Sequence, residues 1–185
     1  LVKNPDFFGG EPYLDELVYT IIPDNNTAYQ AWLKGEVDEI ASATVPTSDL
    51  QNLIDSDDYL LVKQEWPSPY YITFNMKEGP FSNKLVRQAA AYGIDRNVVS
   101  QKAFNGFKPA QEYYISNIYK DAHNKDAKEP DCDKDKAMKL LEDAGYKKDA
   151  NGIYFSTELT IFDGFEDMAE VVISELKTIG IECKL

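Results

Sequence analysis

Four carboxylates in the second half of the chain are the sharpest candidates for chemistry. Asp131, Asp133, Asp135 and Glu142 fall at positions 1, 3, 5 and 12 of a calcium-loop register. The register breaks at position 6, where the loop's sharp turn needs glycine and the chain has Lys136. Residues 136–142 also read as continuous helix, and acids ahead of a helix favour the positive end of its dipole. No metal is needed to explain them. The sole histidine, His123, sits in the polar stretch DAHNKD with no Ser or Cys motif directed at it. The chain has no G-x-S-x-G, no Walker loop and no HExxH. These residues point to a protein that is not an enzyme and that carries neither cofactor nor metal.

Aromatic and amide groups are the other chemistry on offer. In YYITFNM (70–76), Tyr71, Thr73 and Asn75 alternate with Tyr70, Ile72 and Phe74. On a strand the two sets face opposite ways, so one meets covering helices and the other is open. Tyrosine offers a rigid apolar body with one hydrogen-bonding tip, which suits ligand binding as well as core packing. Tyr71 and Thr73 fit either role. Asn75 fits a turn as well as a ligand contact. Arg87 and Arg96, on predicted helices, read as solvated or locally paired cations rather than anion-binding groups.

The elements that must position these groups alternate in type. LDELVYTII (14–22), VDEIA (37–41), YLLVKQEW (59–66), YYITFNM (70–76), TELTIF (157–162) and IECKL (181–185) read as strands. Helices are expected over about 26–34, within 46–55, from Ser82 to Ile94, from Asp95 to Phe104, over 134–146 and from Glu166 to Ile179. Residues 107–131 read as a long irregular connection. Gly93 inside a helix costs roughly 1 kcal/mol against alanine, which implies close approach of that helix to the sheet. Pro67-Ser68-Pro69 is the best internal boundary, since neither proline donates a ladder hydrogen bond. The order of elements gives an α/β architecture.

Composition narrows the function. With 19 basic and 32 acidic side chains among 185 residues the net charge is −13, and no basic cluster offers a nucleic-acid footprint. No apolar run approaches the roughly 20 residues of a membrane span. Cys132 and Cys183 have no metal spacing and read as free thiols. The chain opens on LVKNPDFFGG without an initiator Met, as a processed or excised piece would, and its last strand has no closing element.

Several segments in order resemble the family 5 extracellular solute-binding proteins of ABC importers, the oligopeptide- and dipeptide-binding group. They are NPDFFGGEPYLDELVYTIIPDNNTAYQAWLKGEVDEI (4–40), FNMKEGPFSNKLVRQAAAYGIDR (74–96), KAMKLLEDAGY (136–146) and the tail ELKTIGIECKL (175–185). Asn83 and Gly93 depart slightly from the usual signature. The resemblance implies an internal fragment of a two-lobed, periplasmic-binding-protein-like fold (type II, cluster C), with mixed sheets covered by helices. Residues 1–66 would belong to the first lobe, 67–69 to the hinge and 70–185 to the N-terminal half of the second lobe.

That resemblance implies capture of a peptide between two lobes and its delivery to an ABC permease. The location would be the periplasm or a lipid-anchored cell surface. The implied ligand-facing residues are Ser42 and Thr44, in the uncharged loop ASATVP beyond a strand's carboxyl end, and Trp66, Tyr71, Thr73 and Asn75. Trp66 fits ligand stacking or a plug at the hinge. Family members also bind nickel, haem-like groups or oligosaccharides, and these ligands stay open. A calcium-stabilised interaction domain is the alternative from another class. Self-association of the piece by strand addition at an exposed sheet edge is also open.

Overall fold

The computed structural model describes residues 1–41, 44–60, 62, 67 and 69–185. The chain divides into two compact units, Leu1–Leu61 and Val62–Leu185.

In the first unit, helix α1 (Asn25–Leu33) starts where the Asp24 carboxylate accepts from the Thr27 backbone N–H at 2.8 Å and from its hydroxyl at 2.6 Å. The cap satisfies one of the helix's free N–H groups, and these bonds also hold the Asp24 carboxyl below its ordinary value. The helix gives way to Gly35 in the left-handed region. Tyr29, Ala31 and, from the short helix α2 (Leu50–Ile54), Leu53 are buried. Trp32 is half-buried and packs at 4.7 Å between ring centroids on Tyr59.

Two expected strands do not form in this unit. Over 14–22 the only ladder contact among the described residues is an antiparallel bridge between Val2 and Glu16, and Ile21 is 89% exposed. Residues 37–41 are likewise extended or turned without a partner strand. Alternation of side chains prepares a strand, but a second backbone must supply the hydrogen bonds. Among the described residues the start of the chain supplies them over 15–17 alone, where the Lys3 N–H donates to the Asp15 carbonyl at 2.9 Å and the Leu17 N–H to the Leu1 carbonyl at 2.8 Å.

The second unit holds the main core. Pro80–Ser82 forms a single 3-10 turn that leads into α3 (Lys84–Gly93), followed by α4 (Arg96–Phe104). Asn83 caps α3 through the Leu85 N–H at 2.9 Å, and Asp95 caps α4 through Asn97 and Val98. Asn105, at φ 47, and Gly106 end α4 in left-handed conformation, as the Asn-Gly pair implies. Residues 107–131 are irregular apart from 3-10 turns at Asn117–Ala122 and Lys125–Ala127.

Helix α5 (Lys134–Asp143) leads to a β-α-β unit of β1 (Phe155–Glu158), α6 (Glu166–Thr178) and β2 (Ile181–Lys184). The strands are parallel, with Phe155 opposite Ile181 and Glu158 opposite Lys184. This pairing fixes β1 two residues earlier than the expected 157–162. The observed sheet among the described residues is this two-stranded one. Segment 70–76, expected as a strand, has no ladder partner among the described residues. Most of 59–66 lies outside the described residues. No described helix is long and apolar enough to cross a membrane.

Val86, Ala89 and Ala90 of α3, Ala137 and Leu141 of α5, and Ile179 and Ile181 are fully buried together. The small face of α3 allows the approach. A Cβ built on Gly93 would lie within van der Waals overlap of Ile179 Cδ1, with Cγ1 and Cγ2 at 3.1 Å. The sequence places that glycine against the sheet; the structure places it against Ile179, at the turn between α6 and β2. Tyr154 closes the core from the side, its hydroxyl donating to Glu142 at 2.9 Å. Burial, then the Glu142 carboxylate, pushes its phenol up to about 12. Cys132 and Cys183 are free, and burial raises both thiols.

Alanine at position 93 should therefore destabilise the unit by about 1–3 kcal/mol although alanine is the better helix former. Thermal melts of Gly93→Ala check this. Adding Ile179→Val, which removes the clashing Cδ1, should cost less in the Gly93→Ala background than in wild type.

Candidate functional site

The patterned segment FNMKEGPFSNKLVRQAAAYGIDR builds a joint. Phe74 stacks on Phe81 at 4.6 Å, and Phe81 meets Phe155 of β1 edge-on at 6.0 Å. Arg87 Nη1 donates to the carbonyls of Phe81 and Ser82 at 2.8 and 3.0 Å, locking the turn ahead of α3. Arg96 donates to the Pro130 carbonyl at 2.6 Å, and the Asp133 N–H donates to Tyr92 O at 2.9 Å. Lys136 lies 4.0 Å above the Tyr92 ring. Both arginines thus satisfy backbone carbonyls, where ion pairs or solvent were expected.

One buried charge sits at the same corner. Glu175, 6% exposed, pairs with Lys134 at 3.0 Å and accepts from the Asp95 N–H at 3.4 Å. Removing Lys134 would leave this buried carboxylate without its cation, whereas Lys134 itself keeps access to solvent. The corner between α3 and α4 is thereby tied to both α5 and α6.

The tie fixes one face of segment 70–76 and leaves the other open. Ile72 and Phe74 pack on the core, while Tyr71, Thr73 and Asn75 are exposed. Tyr71, 60% exposed, lies 5.8 Å from the ring of Tyr114, itself 64% exposed and tilted by 54°. Asn75 Oδ1 accepts from the Lys77 N–H at 3.0 Å, so its amide helps turn the chain into Pro80. Tyr70 belongs to a separate aromatic group. It stacks on Phe104 at 5.7 Å and meets Phe165 edge-on at 5.4 Å, with Lys108 Nζ donating to its hydroxyl at 2.7 Å.

Tyr71, Thr73 and Asn75 therefore share one face of the second unit. Thr44 belongs to the first unit, where its N–H donates to the Ala41 carbonyl at 2.9 Å. Ser42 and Trp66 lie outside the described residues. Sequence patterning did not single out Tyr114, which sits in an irregular loop with no period to reveal its facing; the run YYIS was the available signal.

The calcium register finds its carboxylates otherwise engaged. Asp133 Oδ1 accepts from the Lys136 N–H at 2.9 Å as the cap of α5, and Asp135 lies in that helix's first turn. Glu142 accepts from Tyr154, and Asp131 lies 3.8 Å from Lys128. A helix holds Asp133 and Glu142 at its two ends, where a calcium loop would fold them together.

The whole chain, residues 1–185, matches the family model described as bacterial extracellular solute-binding proteins, family 5 Middle. The chain belongs to this family of solute-binding proteins, and its fold is part of the type II periplasmic-binding-protein fold. It is 32% identical over 200 residues to the oligopeptide-binding protein AppA of Bacillus subtilis (strain 168), a match covering 100% of this chain and 35% of that protein. It is 29% identical over 189 residues to heme-binding protein A of Haemophilus influenzae, covering 98% of this chain and 33% of that one. The structure of B. subtilis AppA in complex with a nonapeptide superimposes with a TM-score of 0.75 at 29% identity, covering 98% of this chain and 38% of AppA. The chain spans about a third of the length of these relatives.

Chelation tests what remains of the calcium reading. EDTA followed by added calcium should leave the melting temperature unchanged, because Asp133 and Glu142 are engaged at opposite ends of α5. A calcium-dependent rise would show a site that the helix geometry disfavours.

Proposed function

We propose that the protein containing this chain is the solute-binding component of an ABC importer. It captures peptides outside the cytoplasmic membrane, in the periplasm or as a surface lipoprotein, and hands them to a membrane permease. Residues 1–66 belong to one lobe and 70–185 to the second, with the crossover at 67–69, and the lobes close on ligand by hinge motion. The role is capture and not catalysis.

One observation carries the reading. The likeness to an oligopeptide-binding protein runs along the entire chain, and the matching structure of that protein holds a nonapeptide. The open face of segment 70–76 agrees with it. Tyr71 supplies apolar area, and Thr73 and Asn75 supply a hydroxyl and an amide to a ligand rich in backbone N–H and C=O groups. Ser42, Thr44 and Trp66 are the further ligand-facing candidates. Water between the peptide side chains and the protein would let one site accept many sequences.

Haem is the second reading, favoured by the identity to a heme-binding protein. Nickel and oligosaccharides complete the set of ligands to test.

Thermal melts of the full-length protein against short and nine-residue peptides, haem, nickel and oligosaccharides decide among them. A peptide at a hundred times its dissociation constant should stabilise by roughly 2.7 kcal/mol. Tyr71→Ala should weaken peptide binding by about 1–3 kcal/mol with little change in the unliganded melting temperature, since its ring is largely outside the core. A shift with haem, nickel or an oligosaccharide alone would replace the substrate class, and no shift with any ligand would overturn capture.

A further inference from the structure

We propose that Tyr114, together with Tyr71, is a specificity-determining contact that takes an aromatic or large apolar side chain of the peptide ligand. This rests on the peptide-capture reading above and names the chemistry of one of its contacts.

The geometry of the loop carries the argument. Its base is closed by the Glu129 N–H donating to the Glu112 carbonyl at 2.8 Å. Inside it, the His123 ring stacks on Tyr113 at 4.3 Å. His123 Nε2 lies 3.0 Å from Ile115 O and 3.3 Å from Ser116 O. A carbonyl can only accept, so Nε2 carries the hydrogen in this arrangement. The Asn117 N–H donates to Gln111 Oε1 at 3.3 Å, and Ser116 is buried. The residues on both sides of Tyr114 are therefore held, while its own ring is left 64% exposed. A ring presented on a fixed backbone loses little freedom when a ligand docks.

What the ring faces sets the ligand class. It meets Tyr71 at 5.8 Å and 54°, inside the range of paired aromatics, and both rings keep open surface for a third group. Charge decides between an apolar group and an ionic one. In a chain of net charge −13, residues 69–76 carry no ionisable acid or base other than the two tyrosines. On the loop, Glu112 is paired with Lys128 at 3.4 Å. The two rings themselves carry no charge, so the pair suits an uncharged side chain.

The test uses the full-length protein in calorimetric titrations with tetra-alanine and its four single-phenylalanine analogues. Wild type should bind at least one phenylalanine analogue more tightly than tetra-alanine. Tyr114→Ala should reduce that preference by roughly 3- to 10-fold, the range an aromatic pair supplies. Tyr114→Phe should keep it, because the ring and not the hydroxyl makes the contact. Tyr119→Ala, which removes another exposed ring of the same loop, should leave it unchanged. An unaltered preference in Tyr114→Ala, or an equal loss for all five peptides, would overturn the proposal while leaving peptide capture standing. Equal binding of all five by wild type would do the same. Binding of none of them, with no shift from any peptide in the melting panel, would overturn peptide capture and this contact with it.

Discussion

The close seating of α3 on its neighbours is the constraint on which the second unit depends. Val86, Ala89, Ala90 and Gly93 form a face with little side-chain bulk, and Ile179 fills the space that a Cβ at position 93 would need. Helix axes come close only where side chains are small, and dispersion gains fall away quickly with distance. Ile179 also sits where α6 turns into β2, so the same contact that seats α3 sets the start of the strand paired with β1. Moving α3 outward would open the core on α5 and the sheet together.

Polar groups then fix the orientation that packing alone would leave loose. Arg87 holds the turn before α3, Arg96 reaches the loop before α5, and Glu175 joins Lys134 to the first N–H of the α4 cap. Each satisfies a group that burial would otherwise leave unpaired. The outcome for function is indirect. Phe74 is pinned through Phe81 to β1, so the alternate residues Tyr71 and Thr73 are directed outward from a rigid base. The strongest sequence signature therefore supports the open face of segment 70–76 and adds only Asn75 to it.

Much of this was legible in the residues. Asp24 and Asp95 announced two helix starts, because a short polar side chain ahead of an apolar period has one common use. The alternation in 70–76 separated Ile72 and Phe74 from Tyr71, Thr73 and Asn75 without saying which set is open, and Tyr70 is 50% exposed although it alternates with the packed residues. Strand existence was less legible, since among the described residues 14–22 finds a single bridge at Glu16 and 37–41 and 70–76 find no ladder, and pairing is a long-range property. The β1 bounds were missed for the same reason, being set by Ile181–Lys184. Tyr114 could not be read because an irregular loop has no period. Arg87 and Arg96 were recognisable as structural, although their carbonyl partners depended on how the turns fold.

The central claim is that ligand meets the open face around Tyr71 while the arginines of the signature stay on backbone carbonyls. A crystal structure of the full-length protein with a bound peptide tests it most directly. The account predicts peptide atoms in van der Waals contact with Tyr71, with Arg87 still on Phe81 and Ser82 and Arg96 still on Pro130. A peptide bonded to either guanidinium, with Tyr71 turned away from it, would contradict the account.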